Sequence, residues 1–283
     1  MKTKAGILFL IYPLASIIIS SVVRFFQYVS IIDFSTGFFI KESEKAGVLI
    51  YILLAVFSAG FAVLTVAGCK KKWTPATVYS DGMGSKSTII PGIGYLAAAA
   101  IQFFAAAGLE NEGFFKIIGS YALAVSFAAL GLCLMKSSIP PAVTGFINLL
   151  PSLYFFVTAT DLFTSELTVK NRSDSLILLL TLVFGTLFFA AVSRFFARLE
   201  TKYSRGRELI TGGLTFIFSG VHVISKLLAY AFGGDTIKGM DPISPDALIL
   251  MVISGAFIIT LCTAKQSKEI DYLLPEKKEE NDK

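Results

Sequence analysis

Long apolar runs separated by short polar segments dominate the pattern of this chain. Each run has about 20 residues, the length that an α-helix needs to cross about 30 Å of hydrocarbon. The eight runs are 5–23, 46–68, 91–109, 117–135, 141–160, 175–193, 209–232 and 247–264. They are continuous rather than alternating, which favours helices over the strands of a membrane β-barrel. The pattern therefore predicts an all-α integral membrane protein with about eight transmembrane helices.

The composition supports this interpretation. Of the 283 residues, 54% are hydrophobic and 16% are charged, and the mean hydropathy is +0.72. A soluble domain carries about 25% charged residues. Of the 25 basic and 20 acidic residues, only Lys226 lies within the eight runs. We therefore expect residues 1–264 to form a single polytopic domain, and the charged segment 265–283 to be a disordered tail.

The distribution of Lys and Arg predicts the orientation of the chain. With the N-terminus inside, the inner segments hold 17 basic residues and the outer loops hold 7. This asymmetry predicts that both termini lie in the cytoplasm, in a bacterial-type plasma membrane. The first outer segment, 24–45, is rich in aromatic and basic residues. Such residues suit the headgroup region, so we expect a short interfacial helix or re-entrant segment there.

Two halves of four helices each share some sequence features. Tyr79-Ser80-Asp81-Gly82 resembles Tyr203-Ser204-Arg205-Gly206, and the pattern Leu-Cys-x-x-Lys-x-Ser spans the inner ends of both the fourth and the eighth runs, at 132–138 and 261–267. An offset of four helices preserves orientation, so these matches predict a 4+4 parallel internal repeat. The alternative is chance similarity among apolar helices with a basic inner end.

The seventh run carries the most polar face. His222, the only histidine, and Lys226 are four residues apart and share one side of a helix. Ser219 and Tyr230 extend that side in both directions. Because Lys226 needs a counter-charge inside a membrane, we expect a carboxylate partner, with Asp161 as the first candidate and Asp235 as the second.

Other polar residues lie within the third and fifth runs. Gln102 is near the centre of the third, and Asn148 and Ser152 are four residues apart in the fifth. We expect one substrate-binding pocket between helices 3, 5 and 7, formed by His222, Lys226, Gln102, Asn148, Ser152, Asp161, Ser219 and Tyr230. The alternative is that the amides and the histidine make ordinary interhelical hydrogen bonds, while Lys226 reaches the headgroups.

The sequence contains no signature of a known catalytic or metal site. One histidine excludes H-E-x-x-H, and no G-x-S-x-G or phosphate-loop spacing occurs. We therefore expect no enzymatic activity, cofactor or metal. The basic pI of about 9.0 reflects the positive-inside bias, so a nucleic-acid partner is not expected.

These features favour a small secondary transporter or permease-like subunit for a small polar or anionic solute. The expected partners are the lipid bilayer, the solute, and other membrane subunits or further copies of the chain. One alternative is a non-transporting scaffold or sensor subunit of a larger complex. A second is a lipid-directed enzyme or scramblase that works at the outer interface.

Overall fold

The computed structural model of the chain describes residues 2–34, 38–39, 44–70, 86–109, 114–136, 141–167, 173–197 and 204–263. These residues are almost entirely helical. The helices are α1 (Lys2–Ser30), α2 (Glu44–Lys70), α3 (Lys86–Ala107), α4 (Phe114–Lys136), α5 (Pro141–Leu162), α6 (Ser173–Phe196), α7 (Ser204–Phe232) and α8 (Pro245–Thr263). A π-helical turn, Phe163–Leu167, continues α5, and a 3₁₀ turn, Gly234–Ile237, follows α7.

The prediction of an all-α polytopic membrane protein is confirmed. Among the described residues, 7 helices, α1 to α7, are long and apolar enough to cross a membrane. The eighth helix, α8, spans Pro245–Thr263 and so matches the predicted run 247–264 closely. The expected tail, 265–283, lies outside the described residues.

Helix α1 continues well beyond the end of the first apolar run. It extends to Ser30, and a two-stranded antiparallel pairing follows, between β1 (Ile32–Asp33) and β2 (Phe38–Phe39). The expected interfacial helix or re-entrant segment at 24–45 is therefore wrong in its first part, because residues 24–30 belong to α1. This extension places Arg24, Gln27 and Tyr28 on a membrane-spanning helix, where the first two are buried polar groups and the third is a buried aromatic.

Helix α7 lies at the centre of the bundle. It packs against α1, α2, α6 and α8, and it is the most buried of the seven spans. Helices α3 and α4 pack closely against each other, as do α5 and α6, while α3 also packs against α8. In contrast, α2 is mostly exposed to the surroundings. The polar side of α7 is therefore enclosed by protein.

The outer surface of the bundle is apolar. Large apolar side chains on four helices are more than half exposed: Ile18, Val63, Phe104, Phe146 and Val157. Such an exposed apolar surface would be costly in water but suits contact with lipid chains. The exposed side chains thus agree with a bilayer environment.

An aromatic cluster fills the interior between α4, α5 and α6. Phe155 stacks on Phe189 with 5.7 Å between ring centroids, and Phe127 lies 5.9 Å from Phe189. All three rings are fully buried. Offset and tilted aromatic contacts of this kind stabilise a packed interior beyond the area they bury. This cluster joins the pair of helices α3 and α4 to the pair α5 and α6.

The packing of the described helices does not show the predicted 4+4 repeat. If the halves were equivalent, the close packing of α6 against α7 would be matched by α2 against α3. The principal neighbours of α2 are instead α1 and α7, and those of α3 are α4 and α8. Several of the matched sequence segments, including 79–82 and 264–267, lie outside the described residues. The duplication stays a prediction from sequence alone.

A glycine on α5, Gly145, allows a close approach of α5 to α6. A Cβ atom at Gly145 would come within 2.8 Å of the backbone nitrogen of Ala197 and 2.9 Å of the carbonyl oxygen of Ser193. The Ser193 hydroxyl also donates a hydrogen bond of 2.6 Å to the Gly145 carbonyl. Because backbone atoms cannot rotate away as a side chain can, any side chain at this position forces the two helices apart.

We predict that Gly145→Ala destabilises the protein by about 1–3 kcal/mol, through this backbone overlap. The measurement is thermal unfolding of the purified chain in detergent. Gly119→Ala on α4 is the matched control, because a Cβ there meets no described atom within 4 Å. Equal melting temperatures for the two variants would contradict the close crossing.

Candidate functional site

Asp174 lies in the first turn of α6. The first backbone N–H groups of a helix have no partner within the helix, and the helix dipole is positive at this end. Both effects favour a carboxylate at this position. Because successive helices alternate in direction, α6 begins on the membrane face at which α1 and α7 end. We call this the far face, and the opposite one the near face.

Three other helical residues converge on the Asp174 carboxylate. The Lys226 ammonium nitrogen lies 2.7 Å from Oδ2, and the Tyr28 hydroxyl donates to Oδ1 at 2.5 Å. One guanidinium nitrogen of Arg24 lies 3.6 Å from Oδ1. A carboxylate has about four acceptor sites, so one group can serve several donors. Asp174 thus links α6 to both α1 and α7.

The Lys226 side chain is held entirely by oxygen atoms. Besides Asp174, its ammonium group donates to the backbone carbonyls of Asp241 and Pro242, each at 3.1 Å. An ammonium group has three protons to donate, and these contacts match that number. The residue is only 2% exposed. Lys226 therefore does not extend to the headgroups, in contrast to the alternative interpretation of the sequence.

Arg24 is completely buried and lies beside the same carboxylate. Its guanidinium donates to the Gln27 side-chain oxygen at 3.0 Å and lies 4.7 Å above the centre of the Tyr28 ring. Gln27 in turn donates to the carbonyl of Ala46 on α2 at 2.8 Å. Hydrogen bonding and the cation–π contact compensate for the loss of water around the charge. This network extends from α6 and α7 through α1 to α2.

The His222 side chain lies beside this group, but its ring makes no hydrogen bond in the described part of the chain. It is 2% exposed, and neither ring nitrogen has a hydrogen-bond partner there. Its Nδ1 atom lies 3.9 Å from Oδ1 of Asp174, which is too far for a hydrogen bond. Buried polar groups in proteins are nearly always satisfied, so an exception of this kind indicates a possible site of function. We call Arg24, Tyr28, Asp174, His222 and Lys226 the Asp174 cluster.

The structure places the predicted residues of α3 and α5 elsewhere. The Tyr95 hydroxyl donates to Asn148 at 2.8 Å, and Asn148 donates to its own helix at the Thr144 carbonyl. Ser152 donates across to the carbonyl of Thr186 on α6 at 3.0 Å. These bonds join α3, α5 and α6, as the alternative interpretation expected for the amides.

Gln102 belongs to a further polar group, with the Tyr154 hydroxyl of α5 and Ser120 of α4. The Tyr154 hydroxyl interacts with the side chain of Gln102 and lies 3.5 Å from the Ser120 hydroxyl. The Gln102 side-chain oxygen is buried without a hydrogen bond in the described part of the chain. Neither α3 nor α5 is among the principal neighbours of α7. The packing therefore does not form the expected single pocket between helices 3, 5 and 7.

The remaining predicted residues lie at different depths. Ser219 is buried on α7 and donates to the carbonyl of Thr215, whereas Tyr230 is 47% exposed and donates to the carbonyl of Asp241. Asp161 is exposed on α5 and is not the partner of Lys226. That expectation is corrected, because Lys226 pairs with Asp174 and α5 is not among the principal neighbours of α7 in the described part of the chain. The side chain of Asp235, the second candidate, lies outside the described residues.

Sequence reasoning missed Asp174 as the counter-charge of Lys226. Asp174 immediately precedes the apolar run 175–193, just as Arg24 immediately follows the run 5–23. Charged residues at the edge of a run usually face headgroups, so neither was a candidate for a buried pair. A useful signal was the spacing of Arg24, Gln27 and Tyr28, which continues one helical face beyond the run.

The described residues contain no group of three or more His, Cys, Asp or Glu side chains that would hold a metal ion. Comparison with known proteins gives no match: no protein-family model, no curated protein and no solved structure matches the chain.

We predict that Asp174→Asn destabilises the protein by about 1–3 kcal/mol, because it leaves Lys226 without its counter-charge. The loss of stability should be smaller than the loss on breaking a fully buried ion pair, because the Asp174 side chain is 22% exposed. Chemical or thermal unfolding in detergent measures it. Asp161→Asn is the control at an exposed carboxylate, and we expect a change within about 0.5 kcal/mol. Identical stabilities of both variants would contradict the assignment.

Proposed function

We propose that this membrane protein is a small secondary transporter, and that it binds a small polar or anionic solute at the Asp174 cluster. The observation that carries the proposal is His222, a buried side chain whose two ring nitrogens have no hydrogen-bond partner among the described residues, although charged groups surround it. Ionisable groups within a membrane are costly and are usually retained for function. A purely structural ion pair has no need of such an imidazole beside it.

The chemistry of the cluster suits an anionic group. Lys226 and Arg24 both approach the same carboxylate, so a solute carboxylate or phosphate would find two cationic donors by replacing Asp174. Arg24 offers a planar fork of donors, and Lys226 offers a compact ammonium group. His222 would complete the site, because its ring nitrogens can donate to or accept from a solute.

The location of the cluster suits solute entry from one side. It lies where α1 and α7 end, on the far face, and the Asp174 side chain keeps 22% of its surface exposed. With both termini in the cytoplasm, as the distribution of basic residues predicts, the far face is the outside of a bacterial-type plasma membrane. The proposal includes no enzymatic step and no cofactor.

A second candidate function is a non-transporting subunit of a larger membrane complex. It is favoured by the contacts of Lys226, whose ammonium group is fully occupied by Asp174 and two backbone carbonyls. In that case the cluster would serve to hold α1, α6 and α7 together. The two functions differ in whether solute crosses a membrane that contains only this chain.

The test is uptake of radiolabelled succinate, lactate and inorganic phosphate into liposomes that contain the purified full chain. We expect at least one of them to accumulate at least about tenfold over empty liposomes. Lys226→Met should reduce that uptake by at least about tenfold, because it removes a cationic donor worth about 1.4 kcal/mol or more.

Lys238→Met is the matched control, since Lys238 is an exposed lysine that follows α7 on the far face. It should transport as the unaltered chain does. If none of the three solutes enters, or if Lys226→Met and His222→Gln both retain full uptake, the transporter proposal is wrong. The subunit function would then be favoured.

A further inference from the structure

Helix α7 carries a continuous row of buried polar residues, and only two of them, His222 and Lys226, belong to the Asp174 cluster. From the near face to the far face, the row comprises Glu208, Thr211, Thr215, Ser219, His222 and Lys226. Their spacing of three or four residues places all six on one side of the helix. Each is buried, with at most 9% of its surface exposed. We call this row the α7 polar row.

The α7 polar row is long enough to connect the two faces of a membrane. It covers 18 residue steps, or about 27 Å at 1.5 Å per residue, against about 30 Å of hydrocarbon. An ionisable residue stands at each end. His222 and Lys226 lie in the Asp174 cluster near the far face, and Glu208 is the third residue of the span Gly206–Phe232 at the near face.

Hydroxyl groups fill the interval between these ends. Thr215 donates to the carbonyl of Thr211 at 2.8 Å, Ser219 donates to Thr215 at 2.6 Å, and Thr211 donates to Arg207 at 2.9 Å. Because each hydroxyl proton satisfies a backbone carbonyl of the same helix, the oxygen lone pairs remain available beside the helix. Residues four apart on a helix are separated by about 6 Å, a distance that one water molecule would bridge between successive oxygens.

We propose that the α7 polar row is a proton pathway, and that Glu208 is its proton-exchanging group at the near face. The proposal rests on the transporter function and names its coupling ion. A proton enters at His222, where a ring nitrogen accepts it, and then passes through water along Ser219, Thr215 and Thr211. The Glu208 carboxylate takes the proton and releases it at the near face.

Every step of this pathway moves a proton from a donor to a lone pair, and no other bond changes. Among the described residues, the charged groups that act on His222 are Arg24 from α1, Asp174 from α6 and Lys226 on its own helix, and the Tyr28 hydroxyl of α1 is bound to the same Asp174 carboxylate. One ring nitrogen of an imidazole can accept a proton while the other donates one, so His222 can both take up and release the proton.

The experiment measures proton flux with the full-length chain in liposomes that contain the pH-sensitive dye pyranine. The solution outside the liposomes is made more acidic than the interior. Potassium with valinomycin holds the membrane potential constant. We expect the unaltered chain to acidify the interior faster than empty liposomes do. Glu208→Gln, which keeps the shape and removes the ionisable group, should reduce this flux at least about tenfold.

A matched pair of variants separates the pathway from a general loss of structure. Thr215→Val and Thr65→Val each delete a fully buried hydroxyl that donates to a carbonyl of its own helix. Thr215 belongs to the α7 polar row, and Thr65 lies on α2. Thr215→Val should slow the flux several-fold, and Thr65→Val should leave it unchanged. Unaltered flux in Glu208→Gln, or equal slowing by both valine variants, would overturn the pathway.

The outcomes also distinguish this inference from the transporter function. If the unaltered chain takes up succinate, lactate or phosphate but conducts no protons, the proton pathway is wrong and the transporter function stands. If it conducts protons through Glu208 but takes up none of these solutes, the pathway stands and the solute site is wrong.

Discussion

The arrangement of the polar interior depends on one ion pair, between Asp174 on α6 and Lys226 on α7. The carboxylate oxygen and the ammonium nitrogen lie 2.7 Å apart. A lone lysine at this depth would be expensive to keep charged, and the same is true of Arg24. Asp174 offers both of them one carboxylate at the helix end where the dipole favours a negative charge. By doing so it ties α6 to α7 and to α1, and it encloses His222.

This constraint accounts for the separation of the polar residues into distinct groups. Side chains on α7 find their partners on α1 and α6, which are its neighbours, whereas Asn148 on α5 pairs with Tyr95 on α3. The buried amides of α3 and α5 are consistent with ordinary interhelical hydrogen bonds, each worth about 0.6 kcal/mol. The charges of the Asp174 cluster require more compensation, and they are the better indication of a working site.

The sequence was sufficient to predict the membrane class and most of the helices, because continuous apolar runs of about 20 residues match the thickness of a bilayer. Spacing by four also placed His222 and Lys226 on one face. The sequence was not sufficient to identify Asp174, since the partner of a buried lysine depends on which helices are neighbours. Periodicity along one helix carries no information on that order, so it could not distinguish Asp161 from Asp174.

Asp174 and Lys226 form a coupled pair inside the membrane domain, and a double-mutant cycle measures their coupling energy. The free energy of unfolding in detergent is measured for the unaltered chain, Asp174→Asn, Lys226→Met and the double variant. The double variant should lose less free energy of unfolding than the sum of the losses in the two single variants. We expect the difference, the coupling energy, to be at least about 1 kcal/mol. Additive costs within about 0.5 kcal/mol would contradict the pair and the cluster built on it.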